Sequence, residues 1–160
     1  MRGARLTRAS GGPGAGRAAA RAAVAALQAA LAAEQAASYG YGVVGSHLAG
    51  SPSKFAAAAA DCVAHERARD SLAALITARG AAPRPAEVAY RMPVAVASPG
   101  AAVSLAVLLE QQVEAAYLAM VAQPEAEIRA FGARQMQAAA VRAARWNGRS
   151  QAFPGLGDRA

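Results

Sequence analysis

Glu34, His65, Glu110 and Glu114 each fall in the middle of an apolar helical stripe, where a soluble helix otherwise carries hydrophobes. At about one hundred degrees per residue, Glu34 shares its face with Leu27, Leu31, Ser38, Tyr41, Gly45 and Leu48. His65 shares one with Phe55, Ala58, Cys62, Leu72 and Ile76. Glu110 lies among Val103, Val107, Val113, Tyr117 and Val121, with Glu114 one turn further on the same side. Buried charge needs compensation, either pairing or a metal. Acids and a histidine converging from three helices therefore suggest two kinds of chemistry.

In the first, Glu34, His65 and Glu110 form a two-carboxylate, one-histidine set for a single Fe, Mn or Zn ion. Cys62, one turn before His65, would add a soft ligand that favours Zn. In the second, the compensation is electrostatic. Arg69 lies one turn after His65, and Arg142 lies with Gln135 on the inward side of a fourth helix. A guanidinium is planar, permanently charged and rich in donors, so it can bridge two carboxylates. Without such a donor, neighbouring buried acids repel or take up protons. The ion-pair network, with no cofactor, is the expected arrangement, and the single metal ion is the alternative. Plainer roles are also available. Tyr41 and Tyr117 are core aromatics whose hydroxyls could reach the acids, and His65 could bond to Asp61 one turn before it. Trp146 anchors the end of the fourth helix, and Cys62 acts as a small hydrophobe.

Four helical segments must carry these residues. The first is expected over about 18–47, stopped by Gly50 and Pro52. The second starts at Ser51 or Ser53 as N-cap and runs to about Arg79, ahead of Gly80. Residues 81–99 hold Pro83, Pro85, Pro93 and Pro99, which forbid a regular helix. The third helix starts from Ser98 with Pro99 in its first turn and runs to about Val121. Pro124 opens the fourth, which ends near Trp146 before Gly148. The organisation expected is a basic, disordered leader over 1–17, a four-helix bundle over 18–150 and an irregular tail over 151–160.

Composition agrees with an all-α chain. At 160 residues it is one domain, dominated by alanine, with few aromatics and scattered β-branched residues. No stretch reaches the roughly 18 large apolar residues of a membrane span. Cys62 stands alone, which excludes an internal disulfide framework. The net charge is +7, but Arg2, Arg5, Arg8, Arg17 and Arg21 fall in the first 21 residues, which hold no acid. The rest is nearly balanced. The leader is Arg-rich like a transit peptide, lacks the apolar core of a secretory signal, and reads as a disordered tail.

The two short connections and one long proline-rich one are the string of a ferritin-like bundle, and also of an up-down bundle with a long middle loop. The inward residues carry a resemblance to the ferritin-like superfamily, in which helices one and three each supply a Glu and helices two and four each supply Glu-x-x-His. Glu34 in Leu31-Ala-Ala-Glu-Gln and Glu110 in Leu108-Leu-Glu-Gln-Gln-Val-Glu match the two single acids. His65 matches the second-helix histidine, but Cys62 stands where its glutamate should be. The fourth helix departs completely, turning Gln135, Ala139, Arg142 and Trp146 inward. Residues 22–150 also look like a bacterial ferritin-like domain family of unknown function, through the His-Glu-Arg-Ala-Arg-Asp stretch at 65–70 and Val-Arg-Ala-Ala-Arg-Trp at 141–146. The resemblance implies an antiparallel four-helix bundle with one long crossover between helices two and three. It also implies a di-iron site, for which both bridging acids and one histidine are missing.

No Ser-His-Asp set, glycine-rich phosphate loop or Cys/His zinc cluster is present, so hydrolases and nucleotide-dependent enzymes have no support. The function expected is non-catalytic: a structural or interaction module that self-associates, as a dimer, through alanine-rich faces in the cytoplasm. The alternative is a single-metal oxidoreductase or metal-handling protein built on Glu34, His65 and Glu110. Nucleic-acid binding through the leader would be salt-sensitive, and no recognised motif supports it.

Overall fold

Alanine-rich segments with apolar stripes form helices wherever proline and glycine allow. The computed structural model describes residues 13–148 and contains α1 (Pro13–Ser46), α2 (Pro52–Thr77), α3 (Pro99–Val121) and α4 (Ala126–Asn147). All four expected helices are present, and no strand occurs among the described residues. The start of α1 corrects the expected leader boundary: residues 13–17 belong to the helix. Proline is tolerated in a first helical turn, and the alanines that follow propagate the helix from there. Residues 1–12, and the tail expected over 151–160, lie outside the described residues.

Caps explain the other ends. Ser98 is the N-cap of α3, its Oγ accepting from the Ala101 amide at 3.1 Å, with Pro99 behind it. Ser51 caps α2 by backbone geometry alone. α2 stops at Thr77, and Gly80, at φ +70°, lets Ala81 N–H return to the Ile76 carbonyl. α4 begins at Ala126, two residues after Pro124, because Arg129 Nη1 takes up the Gln123 and Pro124 carbonyls at 3.1 and 2.6 Å. Gly148 ends it in the left-handed conformation at φ +69°.

The side-chain pairings give the helix directions. Glu34 meets Tyr117 and Tyr41 meets Glu110, so α1 and α3 are antiparallel. Glu34 meets His65 and Ser38 meets Cys62, so α1 and α2 are antiparallel too. Hence α2 and α3 run in the same direction, and residues 78–98 must travel the length of the bundle between them. That crossover is fastened to α1. Gln28 donates to the Ala82 carbonyl at 2.7 Å and accepts from the Arg84 amide at 3.0 Å, and Gln35 donates to the Arg84 carbonyl at 2.9 Å. Further along, Met92, Val94 and Val96 pack against one end of the core.

The core is divided. One apolar cluster contains Leu27, Leu31, Leu72, Ile76, Val113, Tyr117, Met120 and Ile128. The other contains Tyr41, Val44, Leu48, Ala58, Leu105 and Leu109. His65 in α2, Glu110 in α3 and Arg142 in α4 fall between the residues those helices give to the two clusters. Glu34 in α1 lies between Leu31 of the first and Tyr41 of the second, so these four form a polar layer at mid-bundle. Glycine permits the helices to close over it. A Cβ on Gly132 would sit 2.8 Å from Met120 Cβ and 3.4 Å from the Tyr117 carbonyl oxygen, so α4 lies directly against the α3 backbone.

Candidate functional site

The polar layer is a continuous hydrogen-bonded set. His65 Nδ1 lies 2.6 Å from Glu34 Oε2, and Nε2 lies 3.1 Å from Glu110 Oε1. Two carboxylate acceptors require two N–H donors, so the ring is an imidazolium. Burial alone would lower its pKa, but hydrogen bonds to Glu110 and Glu34 outweigh that and raise it to about 9. Glu110 Oε1 also accepts from Arg142 Nε at 2.8 Å and Tyr41 Oη at 2.6 Å. Burial would raise the Glu110 pKa, yet the His65 and Arg142 hydrogen bonds hold it below the usual carboxylate value. Tyr117 Oη donates to Glu34 Oε1 at 2.6 Å. Both tyrosine pKa values are pushed up, by burial first and by the neighbouring acids second, which keeps the hydroxyls protonated as donors. In formal charge the His65 imidazolium and the Arg142 guanidinium offset Glu34 and Glu110, the two acids they touch.

Of the residues expected here, the structure brings together Glu34, His65, Glu110 and Arg142, all buried. Glu114 is buried one turn along α3 from Glu110. Arg69 is not in the layer. Its side chain is 36% exposed, and its Nε donates to Asp70 at 2.9 Å. Ala68, Leu72 and Ile76 continue the buried face of α2 beyond His65, while Arg69 lies at the flank of that face, where a long side chain reaches water. Gln135 is half-buried and donates to neither Glu34 nor Glu110; Tyr117 and Tyr41 occupy those acceptor positions. The tyrosines are therefore members of the network. Cys62 directs its thiol at the Ser38 carbonyl, 3.5 Å away.

Asp61 does not bond to His65, because both ring nitrogens are already engaged. It is buried, and it receives Arg145 Nη2 at 2.7 Å and Trp146 Nε1 at 2.9 Å, tying α2 to the end of α4. Sequence reasoning missed this pairing, although Asp61 shares the inward face of His65 and Arg145 neighbours an anchoring Trp. It also missed Gln28 and Gln35, whose spacing of seven places them on one face of α1, beneath the crossover.

A di-iron centre does not fit these residues. Arg142 places a fixed positive charge on Glu110, and one turn before His65 stands Cys62, a thiol where a di-iron centre needs a carboxylate. The imidazolium has no lone pair left for a metal. Among the described residues, no group of three or more His, Cys, Asp or Glu side chains has the arrangement of a metal site.

Residues 26–158, which take in the whole polar layer, match the family described as "Domain of unknown function (DUF4439)". The chain belongs to this family. It is also similar to a conserved hypothetical protein, Rv2844, from Mycobacterium tuberculosis. That crystal structure has a TM-score of 0.76 and 34% identity, covering 80% of this chain and 96% of that one. No curated protein matches the chain.

Proposed function

We propose that this DUF4439 domain is a non-catalytic, ferritin-like bundle in which an ion-pair layer stands where the superfamily holds its di-iron centre. It serves as a structural or interaction module and self-associates as a dimer. One observation carries the reading: Glu110 Oε1 accepts three donors, from Tyr41, His65 and Arg142, and one of them is a guanidinium. The single crossover between parallel α2 and α3, with Glu34 of α1 and Glu110 of α3 meeting at one histidine, supports the ferritin-like descent. Buried ion pairs are poor sources of net stability beside a well-packed apolar core. The layer's use is specificity: it aligns four alanine-rich helices that could otherwise slide past one another. No helix among the described residues is long and apolar enough to cross a membrane.

The test is elemental analysis of full-length protein purified without chelator, followed by Fe(II) and Zn(II) titration. Substoichiometric metal and no saturable binding are expected. Near-stoichiometric metal that disappears in His65→Ala would establish the single-ion alternative through Glu34, His65 and Glu110. Sedimentation at micromolar concentration checks the dimer.

A further inference from the structure

At the end of the bundle where α2 and α3 begin and α4 finishes, a half-open cleft of about 180 Å³ lies outside the buried layer. α2 contributes Lys54, Ala57 and Asp61, α3 contributes Val103, and α4 contributes Arg145 and Trp146. The walls are apolar, formed by the indole and two small side chains. The polar groups are cationic on balance. Asp61 is already held by both Arg145 and Trp146, so one negative charge offsets one positive, and Lys54 remains. Lys54 is exposed and pairs with no carboxylate among the described residues. Arg145 is held at one nitrogen while its side chain stays 57% exposed. A second contribution has the same sign. α2 presents its N-terminus here with no acid in its first turn and no side-chain cap from Ser51, so its first amides and dipole favour an anion.

We propose that this cleft binds a small organic monocarboxylate with a flat apolar body. The net single positive charge matches a monoanion, the Trp146 ring offers a stacking wall, and the volume suits one ring and its carboxylate, well below a drug-sized site. The carboxylate lies toward Lys54 and Arg145, and the apolar body lies against Trp146, Ala57 and Val103. Asp61 is a positioning residue: it fixes both the guanidinium and the indole.

Trp146 is the only tryptophan, so the protein has a single indole N–H resonance, and it comes from this wall. Full-length protein is titrated with benzoate in 1H–15N correlation spectra. Saturable shifts of the indole signal and of the Lys54 and Ala57 amides are expected, with a dissociation constant on the order of 1 mM. Lys54→Glu, at an exposed position, keeps the melting temperature and weakens binding about fivefold or more. Ala57→Leu, which fills the cleft, abolishes the shifts while the rest of the spectrum is preserved. Inorganic phosphate and benzyl alcohol, which each keep one half of the recognition, bind more weakly than benzoate. The proposal is overturned by linear, non-saturating shifts, by equal affinity in Lys54→Glu, or by phosphate or the alcohol matching benzoate.

Discussion

In α1 the inward acid is followed seven residues later by a tyrosine, Glu34 then Tyr41, and α3 repeats the pattern with Glu110 then Tyr117. The tyrosines are exchanged between the halves: Tyr117 donates to Glu34, and Tyr41 donates to Glu110. The second helix of each hairpin then brings a cation, His65 from α2 and Arg142 from α4. The two halves of the layer thus share an acid, a tyrosine and a cation, and differ in which cation. Imidazolium can lose its proton near neutral pH when its surroundings allow, and guanidinium cannot. The α3–α4 half therefore holds permanent charge, and the α1–α2 half holds charge that depends on its neighbours. His65 bridges the two by touching both acids, so the titratable half is tuned by the permanent one.

The most damaging way to break this comparison is to remove the permanent charge. Arg142→Ala leaves Glu110 buried with one cation fewer, and truncating one member of a buried pair costs about 3–5 kcal/mol. A large drop in the urea midpoint is expected. Neutralising the acid in the same background, with Glu110→Gln, should recover part of the loss, since the remaining penalty comes from unpaired charge. A wild-type midpoint for Arg142→Ala would mean that the guanidinium contributes nothing to the layer.

The titratable half is broken by pH. The folded-state pKa of His65, about 9, lies above its ordinary 6.5. Its contribution is therefore fully present below pH 6.5 and is lost as pH rises through about 9. Glu110 behaves oppositely: held below its ordinary 4.5, it contributes above that value and loses the contribution as pH falls further. Melting curves of wild type and His65→Gln should differ most near pH 6 and converge above pH 9. A gap that stays constant across that range would show that His65 is not charged in the fold.

Much of this was legible in the chain. Pro99 behind Ser98, and the glycine and proline stops, act locally, so the helices could be placed from residue type. The inward positions of Glu34, His65, Glu110 and Arg142 follow from helical period alone. What period cannot supply is the distance between faces. Arg69 and His65 share a face on the wheel, yet only His65 lies deep enough to meet two acids, because depth depends on how the neighbouring helices close. The roles of Tyr41 and Asp61 are non-local in the same way, since each is decided by a partner on another helix. Helix direction was also hidden: the same connection lengths suit two topologies, and only the cross-helix pairs show α2 and α3 to be parallel.

Closeness of approach gives a third contrast. A Cβ on Gly132 meets α3 backbone and the base of Met120, which cannot move aside, whereas a Cβ on Gly40 meets only the far end of the Leu109 side chain, at 2.6 Å from Cδ1. Gly132→Ala should cost about 1–3 kcal/mol through overpacking, and Gly40→Ala should cost less because Leu109 can change rotamer. Equal losses would mean that the α1–α3 contact is as rigid as the α3–α4 contact.

The finest contrast lies in the tyrosines. Glu110 Oε1 accepts from Tyr41, His65 and Arg142, so Tyr41→Phe removes one donor of three. Glu34 Oε1 accepts from Tyr117, while His65 serves the other oxygen. Tyr117→Phe therefore leaves a buried carboxylate oxygen without its donor, a loss of about 1–3 kcal/mol, against about 0.5–1.5 kcal/mol for Tyr41→Phe. The order matters more than the sizes. A greater loss for Tyr41→Phe would mean that its packing on the His65 ring, with centroids 5.1 Å apart, outweighs its hydrogen bond. The tyrosine exchange would then be a consequence of core packing, and the electrostatics of the layer would rest on His65 and Arg142 alone.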